Sequence, residues 1–250
     1  MEIISDMEKI KRNLDHFRFA MIKKFEEKRH KRNGWSINTP INEMYVKMIE
    51  EVAELGYEIN LFRETEIIKE CADVANYAYI IADICRLRMN YNDLSNIKLE
   101  VPKNYISEIV TQDSFGYVSP IIFFQGCNIR CKGCHNPGLF DITKGVTKTA
   151  KDIVKDIITS LFDYKAVTYQ GGEPTLQEDA LFSLMKFFYD IGVYNILYTG
   201  NKLFDVPNRI KKLCHVIKVG QYGSDQHVYH TIDLLELPDQ FTTYFRVKEF

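Results

Sequence analysis

Residues 124–137 read Phe-Gln-Gly-Cys-Asn-Ile-Arg-Cys-Lys-Gly-Cys-His-Asn-Pro. Cys127, Cys131 and Cys134 form a Cys-x3-Cys-x2-Cys triplet directly after the apolar run 121–124, which has the composition of a strand. The glycine and asparagine residues around the cysteines allow a tight loop. The spacing therefore predicts that three thiolates converge at the end of a strand.

Three neighbouring thiolates can hold iron or zinc. A 4Fe-4S cluster has four irons, and cysteine is its usual protein ligand. Three cysteines leave one iron with an open position that a small molecule can fill, which indicates a reactive cluster. The alternative is a structural zinc ion held by the triplet and His135, although adjacent residues such as Cys134 and His135 rarely reach one tetrahedral ion together.

Two further segments follow predicted strands. Gly171-Gly172-Glu173-Pro174 comes after the predicted strand 166–170, and Tyr198-Thr199-Gly200 lies at the end of the predicted strand 194–199. Glycines at the carboxyl end of a strand let the backbone approach a ligand closely, and ligands of α/β folds collect at that end. Each segment taken alone can also be an ordinary turn.

The triplet resembles the signature of the radical S-adenosylmethionine enzymes. Gly126 and His135-Asn136-Pro137, which flank it, resemble the branch that activates glycyl radical enzymes. The resemblance implies a 4Fe-4S cluster whose open iron binds the amino and carboxylate groups of S-adenosylmethionine, and electron transfer that cleaves this cofactor to a 5'-deoxyadenosyl radical. The cluster ligands it implies are Cys127, Cys131 and Cys134.

The two strand-end segments extend this resemblance. The first is similar to the Gly-Gly-Glu-Pro motif that contacts the methionine amino group in the family. The second matches a Tyr-Thr-Gly found in activases of anaerobic ribonucleotide reductase. The cofactor-binding residues implied by the resemblance are Gly171, Gly172, Glu173, Pro174, Tyr198, Thr199 and Gly200.

The amino-terminal third carries two pairs of acids on predicted helices. Apolar residues at helical spacing predict helices over 6–32, 41–60 and 66–87. Glu51 and Glu54 lie on the second helix, and Glu70 and Asp73 lie on the third. Residues three apart are neighbours on a helix surface, so each pair can reach one cation. The third helix is apolar nearly all round, and buried carboxylates need a partner such as a divalent metal; the alternative is four ordinary surface acids.

These acids resemble the ExxE and ExxD motifs of the MazG-type all-α nucleotide pyrophosphohydrolases, over about residues 10–90. The resemblance implies that Glu51, Glu54, Glu70 and Asp73 hold magnesium, with Glu51 and Glu54 catalytic. The ion would clamp the phosphates of a (deoxy)nucleoside triphosphate and activate water to release pyrophosphate. Asn76, one turn further on, is the candidate substrate contact.

The expected fold class is α + α/β. We predict an all-α helical bundle of MazG type over 1–90, a linker over 91–104 that is rich in Asn, Asp, Ser and Pro, and a radical S-adenosylmethionine activase domain over 105–250. Only 116 residues follow Cys134, against about 250 in a complete eight-unit barrel, so the barrel is expected to be partial. Its predicted helices cover 149–163, 177–190 and 207–213, and its predicted strands cover 121–124, 166–170, 194–199, 215–219 and 242–248.

Charge and composition exclude several partners. Thirty-two basic and 34 acidic residues give a formal charge of −2, which does not favour nucleic acid or an anionic membrane. No apolar signal core or run of about 18 apolar residues occurs. Cys71, Cys85 and Cys214 stand alone at spacings that indicate neither paired disulfides nor a second cluster. Cys71 and Cys85 lie in apolar helical sequence, where a reduced cysteine is usually a small core residue. We therefore expect a cytoplasmic protein without membrane or nucleic-acid partners.

The expected function is a two-domain enzyme. The carboxy-terminal domain would place a glycyl radical on anaerobic ribonucleotide reductase or another glycyl radical protein, with electrons from a donor such as flavodoxin or ferredoxin. The helical domain would hydrolyse nucleoside triphosphates to the monophosphate and pyrophosphate. Two alternatives stay open: the helical domain is a non-catalytic docking or homodimerisation module, or the radical acts on a small molecule.

Overall fold

The computed structural model describes residues 6–28, 37–110, 118–159, 165–223 and 226–230. The chain divides into two compact units, Met1–Met89 and Asn90–Phe250. None of the helices in these ranges combines the length and apolar character needed to cross a lipid bilayer.

The described part of the first unit is helical, as predicted. Its helices are α1 (Asp6–Lys28), α2 (Ile41–Asn60) and α3 (Glu64–Asp93), the last of which runs on past the end of the unit. Positions 29–32 of the first predicted helix lie outside the described residues. Buried side chains of α3 form the core of the unit, against partly buried ones from α1 and α2. The core residues are Tyr77, Ile80 and Ile84, packed by Phe25, Ile41, Met44 and Met48.

The start of α2 is fixed by a side chain of α3. The Arg88 guanidinium donates one hydrogen bond to the carbonyl oxygen of Ile37 and another to that of Thr39, each at 2.9 Å. Pro40 then precedes the first turn of α2 with an extended backbone, as proline favours at a helix start. Most residues of α2 are exposed, and none is fully buried.

The segment 91–104, predicted as a linker, holds regular structure instead. It contains the end of α3, one 3-10 turn and the strand β1 (Lys98–Val101), which pairs antiparallel with β4 (Val146–Thr149). Leu99 and Val101 are buried, so alternate residues of β1 face the core. Asn92 and Asp93, which favour a linker in the sequence, are the last residues of α3, and Ser95 and Asn96 lie in the 3-10 turn that follows.

Six strands of the described residues form the main sheet of the second unit. In spatial order they are β2 (Ile106–Val110), β3 (Val118–Phe124), β5 (Ala166–Gly171), β6 (Tyr194–Thr199), β7 (Val216–Val219) and β8 (His227–His230). The four central strands are parallel, and β2 and β8 pair antiparallel at the two ends. The mostly parallel sheet agrees with the prediction. The predicted strand 242–248 lies outside the described residues.

The helices of this unit are α4 (Ala150–Ile158), α5 (Glu178–Asp190) and the four-residue α6 (Asn208–Lys211). A reciprocal capping box of Thr149 and Asp152 starts α4. Positions 160–163 of the predicted helix 149–163 lie outside the described residues.

The strand register sets where the site lies. Phe124 of β3 is level with Gly171 of β5, and Thr199 of β6 is level with Val219 of β7. The strands are parallel, so their carboxyl ends meet at one edge of the sheet. The loops that follow them therefore come together there.

Candidate functional site

A cavity of about 300 Å³ lies at this carboxyl edge. Its lining includes the three cysteines of the triplet, from the loop after β3, and two further groups from the ends of β5 and β6. Those groups are Gly171, Gly172 and Glu173, and Tyr198, Thr199 and Gly200. The fold thus brings together nine of the ten residues expected around the cluster and its cofactor; Pro174 is buried and is not part of the lining.

The start of the cysteine loop is held by backbone hydrogen bonds to residues after the triplet. The N–H of Gly126 donates to the carbonyl of Leu139 at 2.8 Å, and that of Cys127 donates to the carbonyl of Phe140 at 3.1 Å. The buried Gln125 amide adds bonds to two further carbonyls of the same segment. Gly126 has φ +94°, a left-handed conformation that favours glycine. The loop is therefore folded back on residues 138–141.

The two glycines after β5 allow close contact with β3 and its loop. A Cβ on Gly171 would lie 2.6 Å from the backbone nitrogen of Phe124, and one on Gly172 would lie 2.1 Å from the carbonyl oxygen of Gly126. The N–H of Gly172 donates to Phe124 at 2.8 Å, and the N–H of Glu173 donates to Gly126 at 2.7 Å. The sequence predicts that these glycines let the backbone approach a ligand. The structure shows that they also let the ends of β3 and β5 contact each other.

Glu173 is a buried carboxylate, 1% exposed, that joins the two strand-end segments. Its Oε1 accepts hydrogen bonds from the Thr175 N–H at 3.0 Å, the Thr175 hydroxyl at 2.6 Å and the Thr199 hydroxyl at 2.8 Å. Its Oε2 accepts one from the Gly200 N–H at 2.8 Å. Hydrogen bonds satisfy the buried charge, so Glu173 positions the cavity wall as well as lining it.

The cavity also contains residues that the sequence did not single out as ligands. Lys218, near the end of β7, has its Nζ 5.2 Å from the centre of the Tyr198 ring. The Tyr222 hydroxyl lies 2.6 Å from Nε2 of His135, and the two rings are 4.4 Å apart. The rule that ligands collect at strand carboxyl ends points to Lys218, since β7 is the fourth parallel strand.

The donor set fits a cluster better than a single zinc ion. His135 pairs with Tyr222 instead of joining the thiols. Sulfurs around one tetrahedral zinc lie about 3.8 Å apart, given Zn–S bonds of about 2.3 Å. Within the described residues, the three thiols do not form a group with all ligand atoms within 4.8 Å. All three are free and half-buried, and they line the cavity, as ligands of a larger iron-sulfur cube would.

A second cluster of ionisable groups lies in the helical unit. Ligand oxygens of Glu51, Glu70 and Asp73 lie within 4.8 Å of one another, at a spacing that suits a metal ion. Glu54, the fourth predicted acid, is exposed and stands outside this group. Three of the four predicted acids therefore converge, from α2 and α3.

The charge of this acid cluster is partly balanced by a lysine of α1. Nζ of Lys24 lies 2.6 Å from Oδ2 of Asp73 and 3.8 Å from Oε1 of Glu70. Burial raises the pKa of Glu70, and the neighbouring carboxylates add to this rise while Lys24 opposes it. Oε2 of Glu70 and Oδ1 of Asn76 are buried and accept no hydrogen bond. These oxygen atoms are the ligands that a hard divalent cation prefers.

Comparisons with known proteins agree with the carboxy-terminal site. Residues 116–231 match the family model of the 4Fe-4S single cluster domain. The pyruvate formate-lyase-activating enzyme of Listeria monocytogenes is 34% identical over 104 residues, which are 40% of this chain and 42% of that enzyme. A Methanocaldococcus jannaschii protein described as a glycyl-radical enzyme activating enzyme is 34% identical over 94 residues, 36% of this chain and 38% of that protein.

The chain spans about two fifths of the length of these curated relatives. Among solved structures, QueE from Escherichia coli shows a TM-score of 0.41 and 15% identity, over 52% of this chain and 73% of that one. The family match, the sequence identities and the cysteine-lined cavity lead to one conclusion. The carboxy-terminal region of this chain matches the 4Fe-4S single cluster domain and is similar in sequence to activating enzymes of glycyl radical enzymes.

Proposed function

We propose that this chain places a glycyl radical on a partner protein, with anaerobic ribonucleotide reductase as the favoured partner. The observation that carries the proposal is the single cavity lined by the cysteine triplet and both strand-end segments. The choice of reductase rests on the resemblance of Tyr198-Thr199-Gly200 to activases of that enzyme. The names of the relatives, which include pyruvate formate-lyase-activating enzymes, support another glycyl radical protein as the alternative partner.

Different residues of the cavity lining would bind the cluster and the cofactor. Cys127, Cys131 and Cys134 would hold the cluster. The bound cluster and S-adenosylmethionine would supply one-electron reductive cleavage of the cofactor, with the electron from a donor of the flavodoxin or ferredoxin type, and transfer of a hydrogen atom from the partner's glycine to the 5'-deoxyadenosyl group. Lys218 adds a positive charge to the lining, which suits the methionine carboxylate.

The test is anaerobic reconstitution with the host's ribonucleotide reductase, S-adenosylmethionine and a reductant. About four irons per chain and a glycyl radical doublet in the electron paramagnetic resonance spectrum are expected. Cys131→Ala should lose both, while Cys85→Ala, an exposed cysteine of α3, should keep both. A glycyl radical signal on pyruvate formate-lyase but not on the reductase would show that the partner is pyruvate formate-lyase and not the reductase. If the rate of 5'-deoxyadenosine formation is the same with and without each glycyl radical protein, the small-molecule alternative is favoured.

We also propose that the helical unit is a magnesium-dependent nucleotide pyrophosphohydrolase. The convergence of Glu51, Glu70 and Asp73 within 4.8 Å favours it over the docking-module alternative. These three carboxylates would hold the ion against the substrate phosphates. We retain Glu54 as a catalytic carboxylate because it is solvent-exposed, follows Glu51 by one turn of α2 and is close enough to raise the pKa of Glu70.

A panel of deoxynucleoside triphosphates, assayed with magnesium for pyrophosphate release, tests this second function. Glu51→Gln should abolish turnover, while Glu50→Gln is the matched control because Glu50 is the exposed neighbour on the same helix. Normal turnover in Glu51→Gln would exclude this site. Absence of turnover with every triphosphate, together with no stabilisation by magnesium, would leave the helical unit as a docking or homodimerisation module.

A further inference from the structure

Lys24 lies inside the acid cluster rather than on the solvent face of α1. Its side chain is 14% exposed, and that of Asp73 is 2% exposed. The Nζ–Oδ2 distance of 2.6 Å is short for an ammonium and a carboxylate. The sequence surrounds Lys24 with other charged residues, a pattern that usually indicates a solvated helix face. The structure separates this lysine from its exposed neighbour Lys23.

Lys24 and a divalent cation would bind the same two carboxylates. Asp73 and Glu70, which pair with Lys24, are two of the three acids whose oxygens lie within 4.8 Å of one another. A divalent ion on those oxygens and an ammonium group at the present position would repel each other at short range, where little water lies between them. The two cations therefore cannot share the cluster in this arrangement.

The backbone of α1 is held in place next to the cluster. The amide of the buried Asn76 donates a hydrogen bond to the carbonyl of Met21 at 3.1 Å. The ring of Phe25 packs edge-on against that of Tyr79, with the ring centres 6.4 Å apart. These contacts flank Lys24 on both sides along the helix. The flexible four-carbon stem of the lysine can swing away while the helix stays in position.

We propose that Lys24 is a resident counter-cation of the acid cluster, which a divalent metal must displace in order to bind. The inference rests on the magnesium site of the second proposed function. The lysine keeps the three carboxylates together while no metal is bound, and it raises the metal concentration at which the site fills. Metal binding and release of the lysine are thus one exchange reaction.

Mn²⁺ binding to the full chain, followed by the electron paramagnetic resonance signal of the free ion, tests the exchange. In Lys24→Met the apparent Mn²⁺ dissociation constant should fall by at least about fivefold, because the competing charge is gone. Lys23→Met, which removes an exposed charge from the adjacent position, should bind like the parent. The melting temperature of Lys24→Met without metal should fall, and Mn²⁺ should raise it by more than in the parent.

Lys24→Arg covers the case in which Lys24→Met does not fold. Arginine keeps the charge and presents a planar guanidinium whose N–H donors can bind the carboxylates in a bidentate way, so Mn²⁺ binding should weaken. Unchanged or weaker Mn²⁺ binding in Lys24→Met, or unchanged or tighter binding in Lys24→Arg, would overturn the exchange while the magnesium site stands. Absence of Mn²⁺ binding in the parent and in both variants would contradict both the proposed magnesium site and the proposed exchange.

Discussion

The backbone N–H of Gly200 donates a hydrogen bond to the Glu173 carboxylate at 2.8 Å, which ties the end of β6 to the end of β5. A Cβ at Gly200 would lie 2.8 Å from Cδ1 of Ile129, in the cysteine loop. Gly200 is therefore packed between the acid and the loop that carries the thiols. Three segments that are far apart in the chain form one cavity wall through this contact.

Glu173→Gln is predicted to destabilise the second unit by about 1–3 kcal/mol. Thr175, Thr199 and Gly200 all donate hydrogen bonds to the Glu173 carboxylate. The substitution removes the negative charge and replaces one acceptor oxygen with an amide group that donates. At least one buried donor then lacks an acceptor. Urea unfolding of the reduced chain without its cluster measures the change. Glu178→Gln is the control, since Glu178 pairs with Arg209 at the surface, where ion pairs contribute little to stability. Equal stability of both variants would contradict the structural role of Glu173.

Gly172→Ala is predicted to destabilise the site by at least about 2 kcal/mol, because the new methyl group would lie 2.1 Å from the Gly126 carbonyl oxygen. That carbonyl belongs to backbone and cannot rotate away without moving the cysteine loop. We therefore expect lower iron content after reconstitution as well. Gly138→Ala is the matched control, with no atom within 4 Å of its new methyl group. Full iron loading of Gly172→Ala would show that the loop is not held in this way.

Lys218→Met is predicted to weaken S-adenosylmethionine binding by about tenfold, through loss of a charge-assisted contact to the methionine carboxylate. Equilibrium binding to the reconstituted protein measures it under anaerobic conditions. Lys212→Met, at an exposed position just before β7, is the control and should bind like the parent. An affinity unchanged by Lys218→Met would exclude this side chain from the cofactor site.

Stability should fall as the pH drops below about 6.5, the ordinary pKa of histidine, because burial lowers the pKa of His215. The unfolded chain then binds a proton that the folded chain accepts only at lower pH, so the stability is lost between the two pKa values. The ring nitrogen Nδ1 of His215 accepts a hydrogen bond from the Asn195 N–H at 3.0 Å, which requires that nitrogen to be unprotonated.

Urea midpoints of the reduced, cluster-free chain between pH 5 and pH 8 measure this dependence. His215→Asn should flatten it, since the amide oxygen can accept the same bond without titrating. His230→Asn, at an exposed position of β8, should keep the dependence of the parent. If the urea midpoint of His215→Asn depends on pH as strongly as that of the parent, another group is responsible for the pH dependence.

The chemistry of both sites is largely readable from local patterns. Each motif lies within a few consecutive residues, so it can be recognised without knowledge of the tertiary structure. This holds for the cysteine spacing, the Gly-Gly-Glu-Pro segment and the ExxE and ExxD pairs. Helical periodicity likewise predicts the described parts of the first three helices. The strand β1 escaped prediction because it has only four residues and its partner, β4, lies more than 40 residues away. Short strands gain their stability from such distant partners.

By itself, the sequence determined which ligands exist: three thiols at cluster spacing and four acids at helical spacing. Only the tertiary structure decided which of them meet, because parallel strand register places the ends of β3, β5, β6 and β7 at one edge. It also shows that Glu173, predicted as a cofactor contact, holds the cavity wall together through hydrogen bonds to Thr199 and Gly200. Lys24 entered the acid cluster for the same reason: the packing of α1 on α3 joins groups almost 50 residues apart, and no local spacing encodes that contact.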